Sequence, residues 1–378
     1  IAPVRGLAPG PKRPRLRGLF FARSGLGHNG RMETVTYHAG TTPLVLDSPH
    51  SGVDYPDDFG HACDLATLRR AEDTHVEKLY DFAPALGVAW IEAHFPRSYL
   101  DANRDTTEID TGLLDAPWPH PVASDPAVLS KVRLGKGLIW RCTDDGVPLY
   151  QRQLSVAEIE QRIARCWQPY HAAVAQAIDA AHARHGYSLH INCHSMPAVA
   201  SSHATDFPGL VHADFVIGNR DGQTASPALI AWMGDWLREQ GYSVALNHPY
   251  KGVELVRRYG EPARHRHSVQ LEINRRLYMD EATLAVHDGF VPLQATLSGL
   301  VTRLLALDPR VEPAPARLLE VPEVRREDEQ RVDERDQQHR DDDHRDDAEH
   351  LAGEAGHEEH RGERGDRGQH REHDRHAD

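Results

Sequence analysis

Two histidines stand at the ends of strand-like segments. His50 lies in SPHSG, directly after the apolar run PLVLD (43–47), where Pro49 and Gly52 force a tight turn that projects the imidazole from the strand tip. In SLHINCHSM, strand alternation puts Leu189, Ile191 and Cys193 on one face and His190, Asn192 and His194 on the other. Two neutral imidazoles and one carboxylate, with a position left open for water, form the usual ligand set of a catalytic zinc. The carboxylate must come from another segment, and Glu72-Asp73 in RRAEDTHVEKL offers it. Asp73 is the preferred ligand because its side chain is shorter and stiffer, with Glu72 as the alternative. Each feature also has a plainer explanation alone: a turn histidine, a hydrogen-bonded histidine near a sheet edge, or a solvated charged pair on a helix.

A second acid and a cationic loop complete the candidate chemistry. In HSVQLEI, Val269, Leu271 and Ile273 alternate with Ser268, Gln270 and Glu272, so Glu272 points away from the packed face. A carboxylate there suits a general base that takes a proton from water and returns it to a leaving nitrogen; the competing role is an ion pair with Arg275 or Arg276. FPRSYLDANRD gathers Arg97, Asp101, Asn103, Arg104 and Asp105 in one loop. Guanidinium groups grip carboxylates through paired hydrogen bonds, Asn103 adds a neutral donor, and a second arginine suits an oxyanion. GNRDG (218–222) reads as a turn, and NHPYKG (247–252) offers His248, Tyr250 and Lys251 to a pocket wall. No Walker loop, GxGxxG or GxSxG occurs at a strand-to-helix turn.

These residues need elements that bring their strand ends together. Strands are expected at 43–47, 87–93, 187–192, 214–218, 242–246 and 267–273, with helical periodicity over 64–83, 226–239 and 281–306. Ser155 with Glu158 forms a capping box that opens another helix, and Pro169 within it predicts a kink or break. Such alternation implies an α/β fold of three layers, a mixed, mostly parallel sheet with helices on both faces. Ligands in such sheets bind beyond the carboxyl ends of strands, where all these polar clusters fall.

Charge divides the chain. Residues 1–32 hold seven Lys/Arg and no acid, and Met32 precedes the first patterned segment, so this basic extension is expected to be disordered and to lie upstream of the physiological start. Residues 311–378 hold 23 acids, 12 Lys/Arg and eight histidines with few large apolar residues, a composition that cannot bury a core. This acidic His/Asp/Arg-rich tail reads as a solvated extension rather than a metal store. Residues 33–310 are expected to form one globular domain, the one that would carry the catalysis; with 34 acids against 24 bases, they lack the cationic face a nucleic-acid duplex requires. The four cysteines are widely spaced, as in a reduced cytoplasmic protein, and no apolar run is long enough to span a bilayer.

Six segments in order, LDSPHSG, EDTHVEKL, SYLDANRD, HINCHSMP, FVIGNRDG and HSVQLEINRRLY, resemble the N-formylglutamate amidohydrolases over roughly 40–306. That family is in turn distantly similar to zinc carboxypeptidases and acylamino-acid deacylases, which implies a zinc-exopeptidase-like sheet. The resemblance implies a metal held by His50, Asp73 (or Glu72) and His194, a substrate carboxylate held by Asn103 and Arg104, oxyanion support from Arg97, and Glu272 as base. The metal is expected to be Zn²⁺ or another divalent ion such as Co²⁺, and the partner a small anionic N-acyl amino acid. The implied reaction is attack of metal-bound water on the formyl carbonyl of N-formyl-L-glutamate, giving glutamate and formate in histidine degradation. A related deacylase of another N-acyl acidic amino acid is the nearest alternative, and a non-catalytic metal- or ligand-binding protein the next.

Overall fold

The structure is a computed structural model that describes residues 33–202, 207–308 and 310. The basic extension and acidic tail expected at 1–32 and 311–378 lie outside the described residues. Seven strands form one sheet in the order β1-β3-β2-β4-β7-β5-β6. They are β1 Val35–His38, β2 Leu44–Ser48, β3 Ala89–Ala93, β4 Ser188–Met196, β5 Phe215–Gly218, β6 Val244–Leu246 and β7 Arg266–Asn274. The central strands β3, β2, β4 and β7 run parallel. β1 is antiparallel to β3, and β5 is antiparallel to β7 but parallel to β6.

The helices among the described residues are α1 Leu65–Arg69, α2 Val76–Leu79, α3 Pro126–Arg133, α4 Val156–Arg162, α5 Gln168–His185, α6 Pro227–Glu239, α7 Glu254–Tyr259 and α8 Phe290–Leu305. Leu44, Leu46, Leu189, Ile191, Val269 and Leu271 face α2, α6 and α8 in one core. Val45, between two of these, and Ala89 and Ile91 on β3 face α1, α4, α5 and α7 in the other. The expected three-layer architecture is the one observed, because every central strand is buried on both sides and needs apolar cover for each.

Three departures from the expected elements bear on the site. The helical pattern over 64–83 divides into α1 and α2. Asp64 caps α1 by accepting from Thr67 N at 2.8 Å, and the chain breaks at His75, whose φ is 69°. Leu68 packs in one core and Val76 in the other, so residues 70–75 carry the chain over the end of the sheet. The long helix opened by the Ser155–Glu158 capping box does break near Pro169: five residues, Ile163–Trp167, form a π turn between α4 and α5. Pro169 has no N–H for the Arg165 carbonyl, which instead accepts from Thr34 Oγ1 at 2.8 Å. Finally, α8 begins at Phe290 and not near 281. Asp280 Oδ1 accepts from Ala282 N, Thr283 N and Thr283 Oγ1, and these bonds hold a turn in place of the first helical turns. β1, α3 and α7 are too short to have shown a clear period.

Arg162, at the end of α4, is buried and pins the Arg97–Arg104 loop from beneath. Its guanidinium donates to Tyr99 O (3.1 Å), Tyr150 Oη (2.7 Å) and Phe59 O (3.4 Å), and lies 4.1 Å from the Tyr99 ring centroid. Arg162→Ala orphans these acceptors and is expected to destabilise the protein by about 2–4 kcal/mol in urea unfolding. An unchanged midpoint would mean that the carbonyls find other donors.

Candidate metal centre and active site

The three residues expected as ligands meet at the carboxyl ends of the central strands. His50 follows β2 by two residues, His194 lies near the end of β4, and Asp73 sits on the segment that crosses the sheet end. A backbone bond from Asp73 N to His50 O (3.0 Å) stitches that crossing to the SPHSG turn. His50 Nδ1 and His194 Nδ1 are 3.1 Å apart, His194 Nδ1 is 2.9 Å from Asp73 Oδ2, and His50 Nδ1 is 3.5 Å from the same oxygen. All three side chains are buried, and their ligand atoms form a group that could hold a metal ion.

The surroundings of each imidazole set which nitrogen carries the proton. Asp101 Oδ1 lies 2.6 Å from His50 Nε2. Asp101 also accepts from Asn103 N, Arg97 Nη2 and Trp140 Nε1. Burial opposes its ionisation, but His50 and Arg97 outweigh it and hold the carboxyl well below the usual range. An ionised Asp101 draws the His50 proton to Nε2. On β4, Asn192 donates from Nδ2 to Asp47 Oδ1 (3.0 Å), which turns its Oδ1 toward His194 Nε2 at 2.6 Å. Each ring therefore carries its hydrogen on Nε2 and presents the Nδ1 lone pair to the other.

Two lone pairs and a carboxylate oxygen facing one point repel unless a cation lies among them. The separations fall near the ~3.3 Å edge of a tetrahedron with bonds of about 2.0 Å. The local field has the same sense. Burial opposes ionisation of Asp73, yet the two imidazoles beside it and the charge of Arg97 hold its carboxyl well below the usual range. Burial alone would lower the His194 pKa, but Asp73 and Glu272 raise it, so the pocket favours a positive charge here.

Glu72, the alternative ligand, turns away. It is hydrogen-bonded to Tyr55 Oη and lies near Arg69, and burial pushes its carboxyl up to about 7. Arg275 serves the crossing segment: it donates to Arg70 O, Glu72 O and Asp73 Oδ1, besides Ser195 Oγ. Arg276 pairs with Asp214. Neither arginine takes the ion-pair role considered for Glu272, which lies beside His194 in the β4–β7 register and accepts from Gln270 Nε2 at 2.8 Å.

The loop after β3 divides its residues between the cluster and the frame. Arg97 reaches Asp101 (3.2 Å) and Asp73 (3.7 Å). Asn103 is buried with both ends engaged, its Nδ2 donating to Asn192 Oδ1 at 3.3 Å and its Oδ1 accepting from Leu255 N at 2.9 Å. Arg104 pairs with Glu108 at 3.6 Å. Asn219 holds its own turn through Ala225 O and Gly222 N, and Lys251 pairs with Asp221 on the surface. Tyr250 is half-buried, and burial raises the pKa of its hydroxyl, with Glu272 adding to the rise. Asp101, Asn192 and Arg275 were not singled out by the sequence as parts of the centre. Asn192 shares the strand phase of His194, and that was the available signal.

A sheet covered on both faces, with such donors converging at its strand tips, is an α/β fold with a candidate metal centre at its carboxyl edge. Residues 42–279 match the sequence model of the N-formylglutamate amidohydrolase family, and the chain belongs to that family, as its six motifs implied. It is 31% identical over 258 residues to an N-formylglutamate deformylase of Pseudomonas aeruginosa, covering 66% of this chain and 86% of that protein. It is 29% identical over 284 residues to the N-formylglutamate deformylase of Pseudomonas putida, covering 72% and 96%. The crystal structure of N-formylglutamate amidohydrolase from Ralstonia eutropha JMP134 superposes with a TM-score of 0.68 at 44% identity, covering 72% of this chain and 97% of that one. No helix among the described residues is long and apolar enough to cross a membrane.

Proposed function

We propose that this amidohydrolase cleaves N-formyl-L-glutamate to L-glutamate and formate, a step of histidine degradation in the cytoplasm, with a divalent ion held by His50, Asp73 and His194. The convergence of two Nδ1 lone pairs and Asp73 Oδ2 on one buried point carries the metal reading. Similarity to the named deformylases supports the substrate. When bound, Zn²⁺ or another divalent ion such as Co²⁺ supplies Lewis acidity that polarises the formyl carbonyl and acidifies water.

The chain's own groups then have separable tasks. Glu272 accepts the proton of the attacking water on its carboxylate and passes it to the departing amide nitrogen. Arg97 supplies positive charge for the oxyanion from beside Asp73. Asn103 and Arg104 belong to substrate binding in this scheme. Arg104 must leave Glu108 to meet a carboxylate, and Asn103 braces Asn192, the acceptor for His194, in the meantime.

Formate and free amine release from formyl-, acetyl- and succinyl-glutamate by the metal-loaded chain tests the substrate. The formyl compound is expected to give the highest kcat/KM. Preference for a longer acyl group would overturn that assignment in favour of a related deacylase.

A further inference from the structure

The reaction as proposed leaves one charge pair near the centre unused. Lys136 Nζ lies 3.7 Å from the Trp140 ring centroid, donates to Cys142 O at 3.0 Å and pairs with Asp144 Oδ1 at 3.0 Å. Arg97 shares the same indole, with its Cζ 4.8 Å from the centroid. Trp140 Nε1 in turn donates to Asp101 Oδ2 at 3.2 Å. One aromatic ring thus connects the ammonium, the guanidinium beside Asp73 and the carboxylate that orients His50.

The two halves of the pair are held very differently. Lys136 is 12% exposed and keeps two partners besides Asp144, whereas Asp144 is 62% exposed at the tip of a hairpin. That tip is closed by Thr143 N to Val147 O (2.9 Å) and Gly146 N to Thr143 O (3.1 Å), bonds in which the Asp144 side chain has no part. The Asp144 carboxylate also lies in the field of the centre. Against a desolvation that works the other way, Lys136, then Arg97 and Arg275, hold its carboxyl below the ordinary range.

We propose that Lys136 is a substrate-binding residue: its ammonium, fixed on Trp140, takes one carboxylate of an N-acylated dicarboxylic amino acid, and Asp144 fills that position until the substrate displaces it. This rests on the substrate class proposed above. Because the carboxylate half of the pair is the exposed one, exchanging it for a substrate carboxylate requires little rearrangement, while the cation stays pre-organised. A dianion then finds Lys136 for one carboxylate and Asn103 with Arg104 for the other, and a substrate with an uncharged side chain leaves the ammonium to Asp144.

The test is steady-state hydrolysis of N-formylglutamate and N-formylglutamine by the metal-loaded full chain, with glutarate binding measured in parallel by calorimetry. Lys136→Met is expected to raise KM for N-formylglutamate about 10- to 100-fold, to leave N-formylglutamine nearly unchanged and to weaken glutarate. Lys136→Arg should recover part of the discrimination. Asp144→Asn removes the internal competitor and should lower KM for N-formylglutamate and tighten glutarate. If the pair only anchors the hairpin, both variants lose activity together on both substrates. That outcome, or unchanged discrimination in Lys136→Met, overturns the proposal. A wild-type chain inert toward N-formylglutamate that still binds glutarate through Lys136 would overturn the substrate reading and support this one.

Discussion

Glu272→Gln is expected to lower turnover by about 10²- to 10⁴-fold while bound metal and fold persist. Gln preserves the size of the side chain and an oxygen for Gln270 Nε2, but it cannot accept a proton from water. Burial raises the Glu272 pKa, and Asp73 adds to it, while His194, Arg97 and Gln270 work against the rise. The basic form therefore appears only above the ordinary carboxylate range, and the acid limb of kcat/KM is displaced toward neutrality; in the variant that limb disappears. The sign for stability follows from the same shift. A folded-state pKa above the unfolded one gives stability that is full below the unfolded pKa and is lost as pH rises through the folded pKa. The variant should therefore gain thermal stability over wild type at pH 8 but not at pH 4, in parallel calorimetric scans. Wild-type turnover in Glu272→Gln would remove it as the base.

His194→Ala is expected to abolish stoichiometric metal binding together with formate release, since two donors remain where three converge. Asp101→Ala, which releases the His50 tautomer without removing a ligand, should cost about 10- to 100-fold in metal affinity. Stability gives a readout independent of turnover. A divalent ion at 100 times its Kd stabilises the native chain by about 2.7 kcal/mol, and chelation removes that increment. In His194→Ala, added Zn²⁺ should leave the melting temperature where it was. A wild-type increment in that variant would place the ion elsewhere.

Where short-range patterns fix local geometry, the sequence carried the information. Strict alternation in SLHINCHSM and HSVQLEI set the phase of His194 and Glu272, and the two residues lie side by side in the sheet. The SPHSG turn likewise held His50 at a strand tip. Less legible was anything decided between distant segments. Nothing local in RRAEDTHVEKL says that Asp73 enters the cluster and Glu72 leaves it, because the choice depends on Leu68 and Val76 packing in different cores. For the same reason, FPRSYLDANRD showed a cationic loop but not the division of labour within it. Asp101 is a hydrogen-bond acceptor for His50 because β2 and β3 are neighbours in register.

Residues 70–75 have one anchor in each helical layer. A slide of either layer against the strands would therefore drag the Asp73 carboxylate away from His194, on β4 itself, and from His50, just beyond β2. Ion affinity then becomes a gauge of interlayer shear, and packing substitutions at Leu68 or Val76, neither of them a ligand, would register as weakened zinc retention before they register as unfolding.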